Sequence, residues 1–241
     1  MARATRRRDR LSSVSDTPGT DVPAYADRLQ TLERARWKQL LDVQAPYRWN
    51  IRRLGLGRTL DIGCGLGRNL AHLGGQGVGV DHNPTSVEVA RRRGLQAYTA
   101  EEFLAGPLAR PGSFDALLAA HVVEHMPEAD AVELFRTYLP FVRAEGKVVI
   151  ITPQEKGYTT DATHVRFCGF DEVAALCAKV GGAKVGGARV GGAKVGGAKV
   201  GLRLVRQYSF PFPRPAGRVF PYNEFVTLAR TQAVSHGHGL A

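Results

Sequence analysis

Thr59-Leu60-Asp61-Ile62-Gly63-Cys64-Gly65-Leu66-Gly67-Arg68-Asn69-Leu70 is the stretch whose reading decides the fold. A short apolar run carrying an acid breaks into three glycines spaced Gly-x-Gly-x-Gly, and a helical pattern follows from Arg68. Glycines in such a turn permit positive φ and leave bare backbone for a ligand to lie against. Open parallel sheets bind ligands at the carboxyl ends of their strands, where this turn would stand. The spacing is informative. A dinucleotide site wants Gly-x-Gly-x-x-Gly, but the position three after Gly65 is Arg68. Asp61 would also repel a pyrophosphate, whereas it suits a ligand carrying an ammonium and a sulfonium.

The same regime continues outward. Gly77-Val78-Gly79-Val80-Asp81-His82-Asn83-Pro84 is a second apolar run ending in an acid, and a carboxylate there accepts hydrogen bonds from vicinal ribose hydroxyls. Further strands are expected at Gln96 to Thr99, Asp115 to Ala120, Lys147 to Thr152 and Glu224 to Ala229. Helical patterns lie between them at Arg68–Leu73, Thr85–Arg93, Glu128–Val142 and Asp171–Cys177. This alternation implies βαβ units, hence an α/β, Rossmann-like doubly wound sheet with helices on both faces.

Length and composition bound the rest. The chain has 241 residues, 44 % of them hydrophobic, which suits one globular domain with short appendages. No apolar run approaches the ~20 residues of a membrane helix. Residues 1–24 read as a disordered basic tail with no apolar core of a signal peptide. Three scattered cysteines, Cys64, Cys168 and Cys177, fit a reducing cytoplasm. The net charge of +11 sits largely in residues 1–10, with five arginines and one acid, and in residues 178–197, with four bases and no acid. It reads as a solvated tail and a basic repeat rather than as a nucleic-acid or phospholipid surface.

Residues 25–55 read as N-terminal helices: a helical pattern spans Ala26 to Leu41, and a second contains Tyr47 to Leu54. Residues 56–230 form the main domain, and 231–241 a flexible tail. Within the domain, residues 178–201 repeat AKVGG with a single ARVGG. Removing four pentads restores a helix end, a glycine stop and a strand, so the repeat reads as a tandem expansion of a surface loop. A Val every fifth residue matches neither the helical nor the strand period.

Together these motifs resemble the class I S-adenosylmethionine (SAM)-dependent methyltransferases, in the type 11/23-like branch. DIGCGLGRNL resembles the family's first motif, GVGVDHNP its second, FDALLAAHVVEHMP its fourth-strand motif, and LPFVRAEGKVVIITPQ the following helix, turn and fifth strand. The resemblance implies seven strands with the last antiparallel, SAM as cofactor, and N-terminal helices carrying Trp37, Tyr47 and Trp49 as a lid. It also implies that Asp61 meets the cofactor's amino group and that backbone at Gly63, Cys64, Gly65 and Gly67 lines its methionine moiety. Asp81 would hold the ribose, His82 flank the adenine, and His121 face the methionine end. Thr99 stands where the family often has an adenine-side Asp, so Glu101 or backbone would take over that contact.

His121-Val122-Val123-Glu124-His125 also matches His-x-x-Glu-His, a zinc-protease pattern that needs both histidines on one helix and a third ligand. Pro127 puts the helix start after the motif, so no metal is assigned. His125 and His164, the latter in Asp161-Ala162-Thr163-His164, are instead the candidate catalytic residues on the substrate side. The aromatic tract Tyr208 to Tyr222 either lines an apolar pocket or forms a surface connection. The reading is a methyltransferase acting on a small-molecule acceptor. Two alternatives are kept: a SAM-binding protein without turnover, and an NAD-dependent oxidoreductase.

Overall fold

The computed structural model describes residues 42–182, 188–190, 193–195 and 200–233. The expected basic tail, the helix over Ala26 to Leu41 with Trp37, and residues 234–241 lie outside these.

Nine strands are described: β1 (Thr59–Ile62), β2 (Gly77–Asp81), β3 (Ala97–Thr99), β4 (Phe114–Ala120), β5 (Val142–Pro153), β6 (Ala188–Val190), β7 (Ala193–Val195), β8 (Val200–Phe210) and β9 (Glu224–Ala233). The helices are α1 (Ala45–Arg53), α2 (Arg68–His72), α3 (Pro84–Arg92), α4 (Ala100–Ala105), α5 (Glu128–Tyr138), α6 (Glu155–Tyr158) and α7 (Phe170–Gly182). Seven strands form one sheet in the order β3-β2-β1-β4-β5-β9-β8. β1 to β5 pair in parallel, and β9 runs antiparallel to both β5 and β8, as expected of the last strand. The chain leaves β1 outward to β2 and β3, then returns to β4 on the other side of β1. That reversal opens a crevice at the carboxyl ends of β1 and β4.

Both faces of the sheet are covered, which is why its central strands read as unbroken apolar runs. Leu60, Leu117, Val148 and Ile150 point to one face and pack with Phe103, Phe135, Phe141 and Leu176 of the helical layer. Leu118, Val149, Ile151 and Val226 point to the other and pack with Ile51 of α1 and Phe210. The switch between adjacent Leu117 and Leu118 is the period-two alternation of a strand.

Local chemistry sets the element starts. Asn83 caps α3, its Oδ1 accepting from the backbone N–H of Thr85 at 3.0 Å and of Ser86 at 3.3 Å, with Pro84 preset for the first turn. Thr99 and Glu102 form a reciprocal capping box that starts α4, a helix not expected from the sequence.

Several boundaries differ from the sequence reading. The helix expected over Glu128–Val142 ends at Tyr138; Pro140 lies in a single 3-10 turn, Leu139–Phe141, and Val142 already begins β5. The expected loop over the repeat is corrected in three places. α7 runs to Gly182, β6 and β7 pair antiparallel with Arg189 opposite Lys194, and β8 begins at Val200. Each pentad is a three-residue Ala-base-Val unit separated by Gly-Gly, and two glycines are what a two-residue hairpin connection favours. β9 continues to Ala233, past the boundary expected at 231. No helix among the described residues is long and apolar enough to cross a membrane.

Candidate functional site

The glycine turn joins β1 to α2. Gly63, Gly65 and Gly67 have φ of +68°, +52° and +84°, the left-handed region that other residues adopt at a cost. Their surroundings differ. A Cβ on Gly63 would lie 2.4 Å from Val122, and one on Gly67 would lie 2.4 Å from Leu95, so these two are needed for packing as well as for φ. A Cβ on Gly65 would meet nothing within 4 Å. Gly65 is where the turn presents bare backbone to open space. Cys64 is buried and its sulfur packs toward Gly79, leaving no room there for a side chain. Burial pushes its thiol far above the ordinary range, which makes it a packing residue rather than a nucleophile.

Two acids flank the turn. Asp61 is buried, and neither carboxylate oxygen has a hydrogen-bond partner among the described residues. Burial raises its pKa to about 8; Arg68 opposes that rise and Asp81 adds to it. A buried carboxylate without a partner is costly unless a cation completes it. Asp81, at the end of β2, is tied to the turn: Oδ2 accepts from the backbone N–H of Gly65 at 2.8 Å and Oδ1 from that of Asn83 at 2.9 Å. A carboxylate has about four acceptor positions, so two remain for a diol. The His82 ring stands at the exposed edge, Nδ1 3.5 Å from Asp81 Oδ1.

Thr99 sits beside Asp81 in the β2–β3 register, but its hydroxyl accepts from Glu102 N–H at 3.2 Å in the cap of α4. Its side chain therefore serves the helix start. Glu101 is exposed in the first turn of the same helix.

A cleft lined by Tyr47, Asn50 and Ile51 of α1, Arg68 and Asn69 of α2, Ala120, His121, Ile151 and Glu224 lies at the strand ends. α1 therefore covers it with Tyr47, which donates to Tyr222 O at 2.5 Å. Trp49, expected in the lid, is 57 % exposed and stacks on Phe210 with ring centroids 6.3 Å apart. The aromatic tract divides accordingly. Phe210 supports α1 from below, while Phe212, Val219 and Tyr222 are exposed.

His121 follows β4 with φ +60°. Its Nε2 lies 2.9 Å from Glu224 Oε1 and its Nδ1 3.3 Å from Glu124 Oε1. Burial works against its charge, but the two carboxylates prevail and raise its pKa to about 9. Glu224, far along the chain on β9, had no sequence signal; only the sheet order brings it to β4.

The two expected catalytic histidines meet. The rings of His125 and His164 lie 4.7 Å apart between centroids. His125 Nδ1 faces Thr163 O at 3.2 Å and Thr163 Oγ1 at 3.0 Å, and that hydroxyl donates onward to Asp161 Oδ1 at 2.8 Å. His164 Nδ1 faces Tyr158 O at 2.7 Å, and its ring stacks on Tyr158. A ring nitrogen facing a carbonyl carries the proton, so in each imidazole the lone pair belongs to Nε2. Burial lowers the His125 pKa; Glu124 counters this and His164 adds to it.

Residues 60–150 match the family model described as a methyltransferase domain. A ubiquinone biosynthesis O-methyltransferase of Xanthomonas oryzae pv. oryzae is 31 % identical over 103 residues, covering 39 % of this chain and 42 % of that protein. One of Bordetella parapertussis is 27 % identical over 140 residues, covering 50 % and 58 %. The chain thus spans about half the length of these curated relatives. Two solved structures share the fold. A TehB-like SAM-dependent methyltransferase from Corynebacterium glutamicum has a TM-score of 0.55 at 15 % identity, covering 88 % of this chain and 100 % of that one. A SAM-dependent methyltransferase from Archaeoglobus fulgidus has a TM-score of 0.51 at 16 % identity, covering 80 % and 96 %. With the motif order, the glycine turn and the reversal of the sheet at β1 already in place, that match identifies residues 60–150 as a methyltransferase domain, and the chain shares the fold of SAM-dependent methyltransferases.

Proposed function

We propose that this protein is an enzyme that transfers the sulfonium methyl of SAM to a small-molecule acceptor, with oxygen as the favoured nucleophile. The observation that carries the reading is the partnerless buried carboxylate of Asp61 beside the open backbone at Gly65. SAM brings the ammonium that would complete the first and a flexible chain that fits along the second. Asp81 keeps two acceptor positions for the ribose hydroxyls, with the outer pair of its lone pairs already fixed by backbone donors. His82 would border the adenine, and α1 would act as the lid. The oxygen preference rests on the relatives named as O-methyltransferases.

SAM is already activated, so catalysis rests mainly on aligning the acceptor in line with the methyl group and excluding water. The acceptor would enter on the side of His121, His125 and His164, across the cleft from the glycine turn. Calorimetry with SAM and with NAD tests the reading. Heat from SAM alone is expected, and heat from NAD with none from SAM would overturn it. Release of S-adenosylhomocysteine during incubation with a metabolite extract then tests turnover.

A further inference from the structure

Glu124, His125 and His164 each bring one ligand atom into a single cluster. These atoms all lie within 4.8 Å of one another. Glu124 is fully buried, neither carboxylate oxygen has a hydrogen-bond partner among the described residues, and Oε1 makes only a charge contact with His121. His121 lies against Oε1 alone, so Oε2 stays buried without a partner and is open to a second cation. The two imidazoles are oriented by partners behind them: Thr163 holds Nδ1 of His125, and the Tyr158 carbonyl holds Nδ1 of His164. With Nδ1 of each ring engaged, Nε2 is the nitrogen left for a metal ion, the division of roles that outer hydrogen-bond partners set in metal-ligating histidines. The Glu124 backbone carbonyl accepts from Val165 N–H at 2.9 Å and Arg166 N–H at 3.2 Å, which locks the His164 loop against the Val123–His125 turn.

We propose that Glu124 together with Nε2 of His125 and Nε2 of His164 forms a binding site for one divalent first-row transition-metal ion, beside the cleft. Two nitrogens and one carboxylate suit zinc, cobalt, manganese or iron rather than magnesium or calcium, which prefer all-oxygen shells. Three protein ligands leave a position open for an oxygen donor, so the site would take a hydroxyl or carboxylate of the acceptor. The two histidines then act as ligands, not as a base. The helical-pair geometry of the zinc-protease pattern is still not met, since Val123–His125 is a single 3-10 turn and α5 begins at Glu128. His121 stays out of the ligand set, engaged between Glu124 and Glu224; the remaining ligand comes from the loop before α7, which the motif alone does not reveal.

The test uses the full chain stripped with a chelator and then dialysed against Zn2+ or Co2+. One ion per chain is expected, with the visible absorption of Co2+ bound to nitrogen. His164→Phe, which keeps a ring against Tyr158, should weaken the ion by at least about 10-fold and abolish the Co2+ band. Glu124→Gln should do the same; if that buried substitution prevents folding, His164→Phe alone decides. Failure of the wild-type chain to retain an ion, or equal retention by His164→Phe, would overturn the site. SAM calorimetry on the same metal-free samples keeps this outcome separate from the methyltransferase reading, because the glycine turn and its acids do not include these ligands.

Discussion

Replacing Asp61 by Asn should make the cofactor-free protein more tolerant of neutral pH while weakening its hold on SAM. Burial raises the Asp61 pKa from 3.8 to about 8. Between those values the folded chain keeps a proton that the unfolded chain has released. The folded state binds more protons, so stability falls as pH rises through this window, by about 1.4 kcal/mol per pH unit. From about pH 5 to about pH 7 the loss is roughly 3 kcal/mol, and it levels off above the folded pKa. For a chain of this size that corresponds to roughly 5–10 °C in Tm. Asn has no proton to release, so the difference in Tm between Asp61→Asn and the wild type should grow in the variant's favour across that range. SAM reverses the ranking. Losing a charged hydrogen bond to its ammonium should cost about 1.5–3 kcal/mol, or about 10–100-fold in Kd. Differential scanning fluorimetry across pH, with and without SAM, reads both effects. Parallel pH profiles for the two proteins would refute the burial argument, and an unchanged Kd would remove Asp61 from the cofactor site.

Asp81→Ala should raise the Kd for SAM by about 10–100-fold, through roughly 1–3 kcal/mol of lost hydrogen bonds, as measured by calorimetry. Gly65→Ala and Gly63→Ala should part company. The first meets open space and costs only about 1 kcal/mol for its positive φ, yet blocks SAM. The second drives a Cβ toward Val122 and should lower Tm clearly before any ligand is added. Phe135→Ala, at a fully buried position of α5, should cost about 3–5 kcal/mol in denaturant unfolding. Deleting residues 178–197 should leave folding and SAM binding nearly intact, because Ala198-Lys199-Val200 repeats the sequence of Ala178-Lys179-Val180 in the last turns of α7. Loss of the thermal transition in that deletion would show that the repeat is structural.

How much was legible in the sequence follows from the range of the physics. The turn after β1 was readable because its signals are local: an apolar run, an acid and glycine spacing within a dozen residues. The parallel sheet was readable for the same reason, since burial on both faces leaves unbroken apolar strands. α4 leaves only the capping-box pattern of Thr99-Ala100-Glu101-Glu102 in the sequence, because its 6 residues are too few to show a helical period. The pairing of β6 with β7 was not readable from the repeat, because a Val every fifth residue matches neither the helical nor the strand period. Glu224 beside His121 and His164 beside His125 were beyond reach: their separations of 103 and 39 residues are closed only by strand order and by a loop docking on a backbone carbonyl.

The reversal of strand order at β1 divides labour along the chain. Every side chain and backbone group proposed for SAM before His121 lies on the β1–β3 wing, while the groups proposed to face the acceptor come from β4 onward and from the proposed lid. The two wings share a floor but few reactive atoms. Specificity for the acceptor is therefore free to drift by exchange of the later wing and α1, with the methyl donor's seat left untouched. A graft of residues 121–230 from a relative of known preference, placed behind this chain's own first wing, would inherit the relative's taste and keep this chain's grip on its donor.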